Sequence, residues 1–327
     1  MENIRLSLAL EAGLTLPEDG AIAVFRPRGD TPLDPLPRDR VEAIQSFAPD
    51  HAMLTARGYR AVTAETGPYA LSIVCLPRAK DEARDLIARA MAATSGGTVV
   101  IDGGKTDGIE SVLKDVRKRA DVHGPISKAH GKIFWCAASD AFADWRKAPS
   151  KNADGYLTAP GVFSADKVDR ASQLLVNTLP KKLGRRVTDL GAGWGYISAN
   201  ILDREGLESL HLVEAEATAL DCARETIKDD RVRFHWADAT RWHHPENMDA
   251  VVMNPPFHTS RDADPAIGQA FIRAAHGMLA QNGKLWVVAN RHLPYESTLG
   301  EFFAEVSEIA GDRSFKVLEA VRPRRSR

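Results

Sequence analysis

The tetrapeptide Asn254-Pro255-Pro256-Phe257 has the makings of a site that holds a planar amine. It follows the apolar run Ala250-Val251-Val252-Met253, which reads as a buried strand. It therefore belongs on a loop at that strand's carboxyl end, the edge at which open α/β sheets bind ligands. The prolines fix φ and donate no backbone N–H, which leaves a stiff turn with carbonyls free to accept. Asn254 adds a side-chain carbonyl acceptor and Phe257 a flat apolar face. A ring bearing an exocyclic amino group would find two acceptors for its N–H bonds and a surface to stack on. Pro-Pro turns also follow strands for structural reasons alone, so the rest of the chain decides between the two uses.

A second stretch supplies a partner for that amine. The strand Arg186-Val187-Thr188-Asp189-Leu190 runs into Gly191-Ala192-Gly193-Trp194-Gly195. A glycine turn between strand and helix lets a ligand approach the backbone, with the helix amino terminus behind it. The dinucleotide fingerprint G-x-G-x-x-G is not met, because its third glycine position is Tyr196. The acid on the strand, Asp189, would repel a pyrophosphate but would accept a hydrogen bond from a cationic amino-acid group. Glu214 ends the next strand, 25 residues on, where a carboxylate can accept from both ribose hydroxyls. Asp238, after Phe234-His235-Trp236-Ala237, is placed to accept from an adenine amino group.

The elements that must carry these residues alternate. In the second half, helices are expected at Val168–Leu179, Trp194–Leu202, Glu216–Lys228, Pro265–Leu279 (stopped by Asn282-Gly283) and Thr298–Glu308. Strands are expected at Arg186–Leu190, His211–Val213, Val232–His235, Ala250–Met253, Lys284–Ala289 and Ser314–Val321. Such alternation predicts an α/β protein with a mainly parallel sheet covered on both faces. The first half carries strands at Ala21–Phe25, Tyr59–Ala64, Tyr69–Leu76, Val99–Ile101 and Lys132–Ala137, with helices at Asp81–Ala93 and Ile109–Arg119. Val41–Phe47 fits either. Pro, Gly, Ser, Asn and Asp cluster over residues 145–161, which sets the expected domains at 1–147 and 148–327.

The halves look duplicated. Leu86–Gly104 lies on Ile272–Asn290 without a gap, and Tyr69–Pro77 takes the place of Met248–Pro256. Cys75-Leu76-Pro77-Arg78 then stands where Asn254-Pro255-Pro256-Phe257 should be, with no glycine loop before it. On that alignment the first half keeps the fold and has lost the site.

Composition narrows the class. At 327 residues, 44% hydrophobic and 27% charged, the chain reads as a soluble globular protein of about two domains. No apolar run approaches a membrane span, and Met1-Glu2-Asn3-Ile4-Arg5 does not open a secretory signal, so the expected location is cytoplasmic. Cys75, Cys136 and Cys222 have no metal-ligand spacing and read as buried thiols; no metal is expected. Each half is close to neutral, with 20 basic and 20 acidic residues in 1–150 and 23 and 24 in 151–327. Nucleic-acid contact would have to come from local clusters such as Lys114/Arg117/Lys118/Arg119 or the tail Arg322–Arg327.

With the glycine loop, the ordered acids and the Asn-Pro-Pro-Phe loop on successive strands, the sequence resembles the class I S-adenosylmethionine-dependent methyltransferases. More narrowly it is similar to the C-type 16S ribosomal RNA guanine-N2 methyltransferases. The residues that carry this likeness are Pro160-Gly161-Val162-Phe163-Ser164, Asp169 with Ser172-Gln173-Leu174-Leu175, Asn254-Pro255-Pro256-Phe257-His258, Val288-Ala289-Asn290 with Leu293-Pro294-Tyr295, and Phe315-Lys316-Val317. Arg170-Ala171 and Arg291-His292 depart from the family pattern. The resemblance implies two Rossmann-like methyltransferase domains in tandem. The first would be degenerate and serve RNA docking or support, and the second a seven-stranded catalytic sheet. It implies S-adenosylmethionine as cofactor, held by Asp189, Gly191, Ala192, Gly193, Gly195, Glu214, Ala215, Asp238, Ala239 and Asn254. It implies 16S rRNA or the small ribosomal subunit as partner, and a monomer.

The expected chemistry follows from the residue types. The lone pair of guanine N2 is delocalised into its ring; hydrogen bonds from its protons to Asn254 and to the Pro255 carbonyl would turn it toward the methyl donor. They would also stabilise charge developing on nitrogen. Phe257 would stack on the base, Pro256 and His258 would line its place, and a paired base would first leave its stack. No covalent nucleophile is needed. Glutamine-N5 and adenine-N6 methyltransferases use the same loop and remain alternatives, as does a noncatalytic RNA-binding factor. A nicotinamide oxidoreductase would explain the glycine turn but not Tyr196, Asp189 or the proline loop. Trp194, Trp236 and Trp242 are expected to pack beside the cofactor cleft, and His243-His244 to be exposed.

Overall fold

A computed structural model describes residues 4–94, 96–256 and 265–324. The chain divides into two compact units, Met1–Ala148 and Pro149–Arg327. Among the described residues no helix is long and apolar enough to cross a membrane.

The first unit runs α1 (Ile4–Glu11), β1 (Ile22–Phe25), β2 (Val41–Ile44), α2 (Ala48–Ala56), β3 (Arg60–Val62), β4 (Leu71–Cys75), α3 (Lys80–Ala93), β5 (Thr98–Gly104), α4 (Ile109–Val116), β6 (His123–Lys128) and β7 (Gly131–Ala137). Its strands form one sheet in the order β3-β2-β1-β4-β5-β7-β6. The first five are parallel, and β7 is antiparallel to β5 and to β6. One apolar layer, with Leu86, Ile87, Val112 and Phe134, covers one face; another, with Leu6, Leu54, Leu71 and Trp135, covers the other.

The second unit begins with the small hairpin β8 (Ser150–Lys151) and β9 (Leu157–Thr158), then α5 (Arg170–Thr178), β10 (Arg186–Leu190), α6 (Tyr196–Ile201), β11 (Ser209–Glu214), α7 (Ala217–Thr226), β12 (Val232–Trp236) and β13 (Met248–Met253). It ends with α8 (Pro265–Met278), β14 (Leu279–Asn290), α9 (Tyr295–Phe302), β15 (Phe303–Gly311) and β16 (Phe315–Pro323). The sheet order is β12-β11-β10-β13-β14-β16-β15, which repeats the first unit strand for strand. The duplication read from sequence is thus a duplication of topology. Strands β10 and β13 are buried from end to end or nearly so, as parallel strands covered on both faces must be. Leu175, Leu212, Leu220 and Trp286 pack on one face, and Val251, Phe271, Ile272 and Tyr295 on the other.

Three expectations need correction. The helix foreseen at Thr298–Glu308 stops at Phe302, and Phe303–Gly311 is an edge strand paired antiparallel with β16. Its one fully buried residue is Phe303, so little periodicity betrays it, and the ladder decides. Asn282-Gly283 do not stop a helix; α8 ends at Met278 and β14 runs through them. They lie in a bulge where Met248 pairs with Leu279 but Ala250 with Lys284. A Cβ on Gly283 would lie 2.9 Å from the Ala280 carbonyl oxygen. Helices α1 and α2 and strand β6 were not foreseen, and neither was the β8–β9 hairpin. Helix α2 starts without a side-chain cap, and its start is marked only by Pro49 and by Asp50 in its first turn.

Helices α8 and α9 meet through Gly268. A Cβ there would lie 1.9 Å from Tyr295 Oη and 2.2 Å from its Cζ, and Tyr295 is fully buried. Alanine favours an exposed helix over glycine by about 1 kcal/mol. Overpacking costs about 1–3 kcal/mol and should win here. Gly268→Ala is expected to lower the thermal midpoint of the second unit by several degrees. A variant as stable as the parent in calorimetry would contradict this packing account.

Candidate active site

Strand register brings the sequence-predicted residues into one row. Leu190 pairs with Val213, so Gly191 is followed across the sheet by Glu214, which itself pairs with Trp236. Asp189 pairs with Val252 on the other side, so two residues further on Gly191 stands beside Asn254. Strand order reverses between β10 and β13, the switch point at which such sheets open a crevice. Asn254 and the glycine loop are therefore neighbours because two parallel strands end level.

The loop itself is fixed by the end of β11. Gly191 N and Ala192 N both donate to the Val213 carbonyl, at 2.9 and 3.0 Å. Gly193 N donates to Glu214 Oε2 and Glu216 N to Glu214 Oε1, each at 2.7 Å. Gly191, Gly193 and Gly195 have φ of 80°, 55° and 88°. A Cβ on Gly193 would meet nothing within 4 Å, whereas one on Gly195 would press on Ala223 and Ile227 at 3.0 Å. Gly193 thus leaves the loop backbone open to a ligand and Gly195 seats the helix. Each Glu214 oxygen keeps a second lone pair for a ligand hydroxyl. Burial pushes the Glu214 carboxyl upward, against the pull of the backbone N–H groups of Glu216, Gly193 and Ala215.

Asp189 is fully buried. Its Oδ2 accepts from Ser198 N at 3.0 Å and from Ser198 Oγ at 2.7 Å, which ties β10 to α6. Its Oδ1 is buried with no hydrogen-bond partner. Burial pushes this carboxyl up to about 7, although the Ser198 bonds pull the other way and Glu214 adds to the rise. With no cation beside it among the described residues, holding it ionised costs the fold on the order of 4 kcal/mol. An orphaned buried acceptor beside a glycine loop fits a ligand bearing an ammonium group.

The other expected residues are placed as follows. Asp238 closes a turn after β12: its Oδ1 accepts from Thr240 N and Thr240 Oγ1 at 2.9 and 2.6 Å, and Oδ2 lies 3.8 Å from Arg241 Nε. Ala239 is buried beside it, and the Ala215 carbonyl accepts from Trp236 Nε1 at 2.8 Å, joining two neighbouring loops. Asn254 is half-buried, Pro255 buried and Pro256 exposed. Asn254 Nδ2 donates to Asp169 Oδ2 and to Ser172 Oγ, both at 2.9 Å. Phe257 and His258 lie outside the described residues.

The aromatic and histidine neighbours have specific partners. Trp194 is buried, donates from Nε1 to the Phe163 carbonyl at 2.9 Å and packs on Tyr156 and Tyr196, so it anchors residues 156–163 to the glycine loop. Phe163 itself is 56% exposed. Trp242 packs on His211 and His235. His243 is exposed as expected, but His244 is not: it packs on His211 with ring centres 4.6 Å apart. Burial, with His244 and His235 nearby, lowers His211 to about 4. Among the described residues no group of His, Cys, Asp or Glu could hold a metal ion.

The matching row of the first unit is filled from within. Phe25 pairs with Ile44 and Val74, so Arg26, Gln45 and Cys75 take the places of Gly191, Glu214 and Asn254. Arg26, at φ 59°, donates from Nη1 to Gln45 Oε1 and Ser46 Oγ and pairs from Nε with Glu82 at 3.1 Å. Gln45 Nε2 donates to the Pro27 carbonyl. Burial raises the Cys75 thiol, which makes it an inert replacement for an acceptor.

Fold and row together define a class I methyltransferase. The sequence profile of the family described as methyltransferase small domain matches residues 155–319. A ribosomal RNA small subunit methyltransferase C from Psychromonas ingrahamii is 29% identical over 263 residues, 77% of this chain and 75% of the relative. The protein of that name from Shewanella loihica is 31% identical over 239 residues, 68% of either chain. Among solved structures, the T. thermophilus 16S rRNA N2 methyltransferase of guanine 1207, in complex with AdoMet and guanosine, superposes with a TM-score of 0.77 at 25% identity, covering 94% of this chain and 90% of that one. The chain belongs to the methyltransferase small domain family, among the ribosomal RNA small subunit methyltransferase C proteins.

The raised Asp189 carboxyl has a stability signature. An unfolded chain releases this proton near pH 4, whereas the native state keeps it to about 7. Its contribution is therefore fully present at low pH and is lost as pH rises toward and through 7. Asp189→Asn lacks that loss. Denaturant titrations should show the variant gaining on the parent between pH 5 and 8, and parallel pH curves would overturn the assignment.

Proposed function

We propose that this chain transfers a methyl group from S-adenosylmethionine to the exocyclic N2 of a guanine in 16S ribosomal RNA. The observation that carries this reading is the level ending of β10 and β13, which sets Asn254 beside the glycine loop. When bound, S-adenosylmethionine supplies an electrophilic methyl on sulfur. The loop Gly191–Gly195 and Asp189 would hold its amino-acid end, with the Asp189 Oδ1 as acceptor. The free lone pairs of Glu214 would take its ribose, and Asp238, Ala239 and Ala215 would border its base.

On the substrate side, Asn254 Oδ1 and the Pro255 carbonyl would accept the two N–H bonds of the guanine amine. That turns its lone pair out of the ring and stabilises positive charge as it develops, an effect on the order of a few kcal/mol. Pro256 stiffens the turn; Phe257 would stack on the base, and His258 would border it. The proton leaves after methyl transfer to water, so no general base is assigned. The described part of the site offers no thiolate for covalent attack: Cys222, the second unit's cysteine, lies in α7 and burial pushes its thiol up to about 11. The loop would fit a glutamine amide or an adenine amine equally well. What favours guanine of 16S rRNA is the kinship of both units, over 94% of the chain, with the guanosine-bound T. thermophilus enzyme. The first unit, its row closed by Arg26, is read as the RNA-docking or supporting domain. The setting would be the cytoplasm, with the small subunit or its rRNA as partner.

Tritiated methyl transfer to small subunits or 16S rRNA, followed by mass mapping of the product, tests the reading directly. Label appearing in a protein glutamine or in adenine would replace it. Asn254→Ala is expected to lower kcat about a hundredfold or more while cofactor affinity changes little. Calorimetric titration should give one S-adenosylmethionine per chain, because Arg26, Gln45 and Glu82 fill the other row. Two equivalents would contradict that account.

A further inference from the structure

The side chain of Asn254 can serve the proposed reaction in only one of its two orientations. Its amide is nearly symmetric in shape, and turning it by half a revolution exchanges an acceptor for a donor. With Nδ2 toward the guanine amine, donor would face donor and the site would repel its substrate. Something must fix the polarity. Asp169 and Ser172 lie 85 and 82 positions upstream in sequence and meet Nδ2 at 2.9 Å each. A carboxylate only accepts, so it can face the NH2 end of the amide and not the oxygen.

We propose that Asp169, with Ser172, is a positioning residue that locks the Asn254 amide with Oδ1 toward the substrate. The inference rests on the methyl-transfer reading above and deepens it. Asp169 is well held for the task. It is the N-cap of α5, and the same Oδ2 that meets Asn254 also accepts from Ser172 N at 2.8 Å. Ser172 is buried within the first turn of that helix, and α5 packs on the sheet through Leu175 and Val176. The clamp therefore belongs to a helix that is anchored in the core. A charge-assisted bond to one end of a conjugated amide also draws electron density toward the other, which makes Oδ1 a stronger acceptor. Asp169 acts through Asn254 and needs no contact with the substrate.

Two variants separate this role from helix capping. Glycine at an N-cap costs a helix only a few tenths of a kcal/mol, so Asp169→Gly should keep the fold while removing the acceptor. Ser172→Ala removes the other acceptor and leaves the backbone N–H in place. Each is expected to lower kcat for guanine methylation about ten- to a hundredfold, with cofactor affinity and thermal midpoint close to the parent's. In an Asn254→Ala background neither should cost anything further. Unchanged kcat, or losses that simply add to that of Asn254→Ala, would overturn the clamp. A readout independent of turnover is the exchange of the Asn254 side-chain NH2 protons, assigned in nuclear magnetic resonance spectra by their absence in Asn254→Ala. They should exchange slowly in the parent and quickly in Asp169→Gly; equal rates would overturn the clamp even in an active enzyme. Should the parent methylate no guanine, the proposed function falls, and slow exchange lost in Asp169→Gly would still establish the lock.

Discussion

Parallel pairing of β10 with β11 on one side and β13 on the other is the constraint on which the site depends. Backbone hydrogen bonds alone set Gly191, Glu214 and Asn254 level at the carboxyl edge. A slip of one residue in either ladder would turn every side chain of the shifted strand to the opposite face. The buried sequence Val187-Thr188-Asp189-Leu190 and its apolar neighbours make that slip costly. The chemistry is thus positioned by the least specific bonds in the protein, and side chains are left free to specialise. Glu214 shows how: it joins the ladder as backbone and then uses its carboxylate to pin the glycine loop.

How much of this was legible depends on how local each signal is. Residues 186–190 have the same bounds in sequence and structure, because an apolar run followed by glycine marks a strand and its turn without help from elsewhere. The acid that ends β11 and the proline loop that follows β13 are equally local signals, although those strands begin two residues before the apolar runs that mark them. The contact of Asp169 with Asn254 spans 85 positions, and no local pattern encodes it. Asp169 could be read as the start of a helix, which it is, but not as the partner of an amide. Strand β15 failed for a related reason: Phe303–Gly311 is extended because β16 is there to pair with it. His244 reads as exposed in sequence because its ring partner, His211, lies far upstream on β11.

The two units also show two ways of filling the same row. Deleting acceptors would leave a crevice lined with unsatisfied groups, which folded proteins rarely tolerate. In the first unit side chains occupy the row and satisfy one another. Arg26 occupies the turn that Gly191 keeps empty, and Gln45 replaces the acid and bonds to both Arg26 and the Pro27 carbonyl. Glu82, in the first turn of α3, completes the ion pair. The fold survives because its register and its two apolar layers make no use of a ligand.

That contrast explains the electrostatics of the second unit. Asp189 and Glu214 are both shifted upward by burial, and each lies in the field of other acids, Glu214 for the first and Glu216 for the second. Among the described residues neither has a cation as hydrogen-bond partner; backbone N–H groups and one serine relieve them in part. In the first unit the corresponding row holds a guanidinium of its own. Buried acids relieved only by N–H groups and one hydroxyl, on a fold that elsewhere supplies a guanidinium from within, fit a cationic ligand.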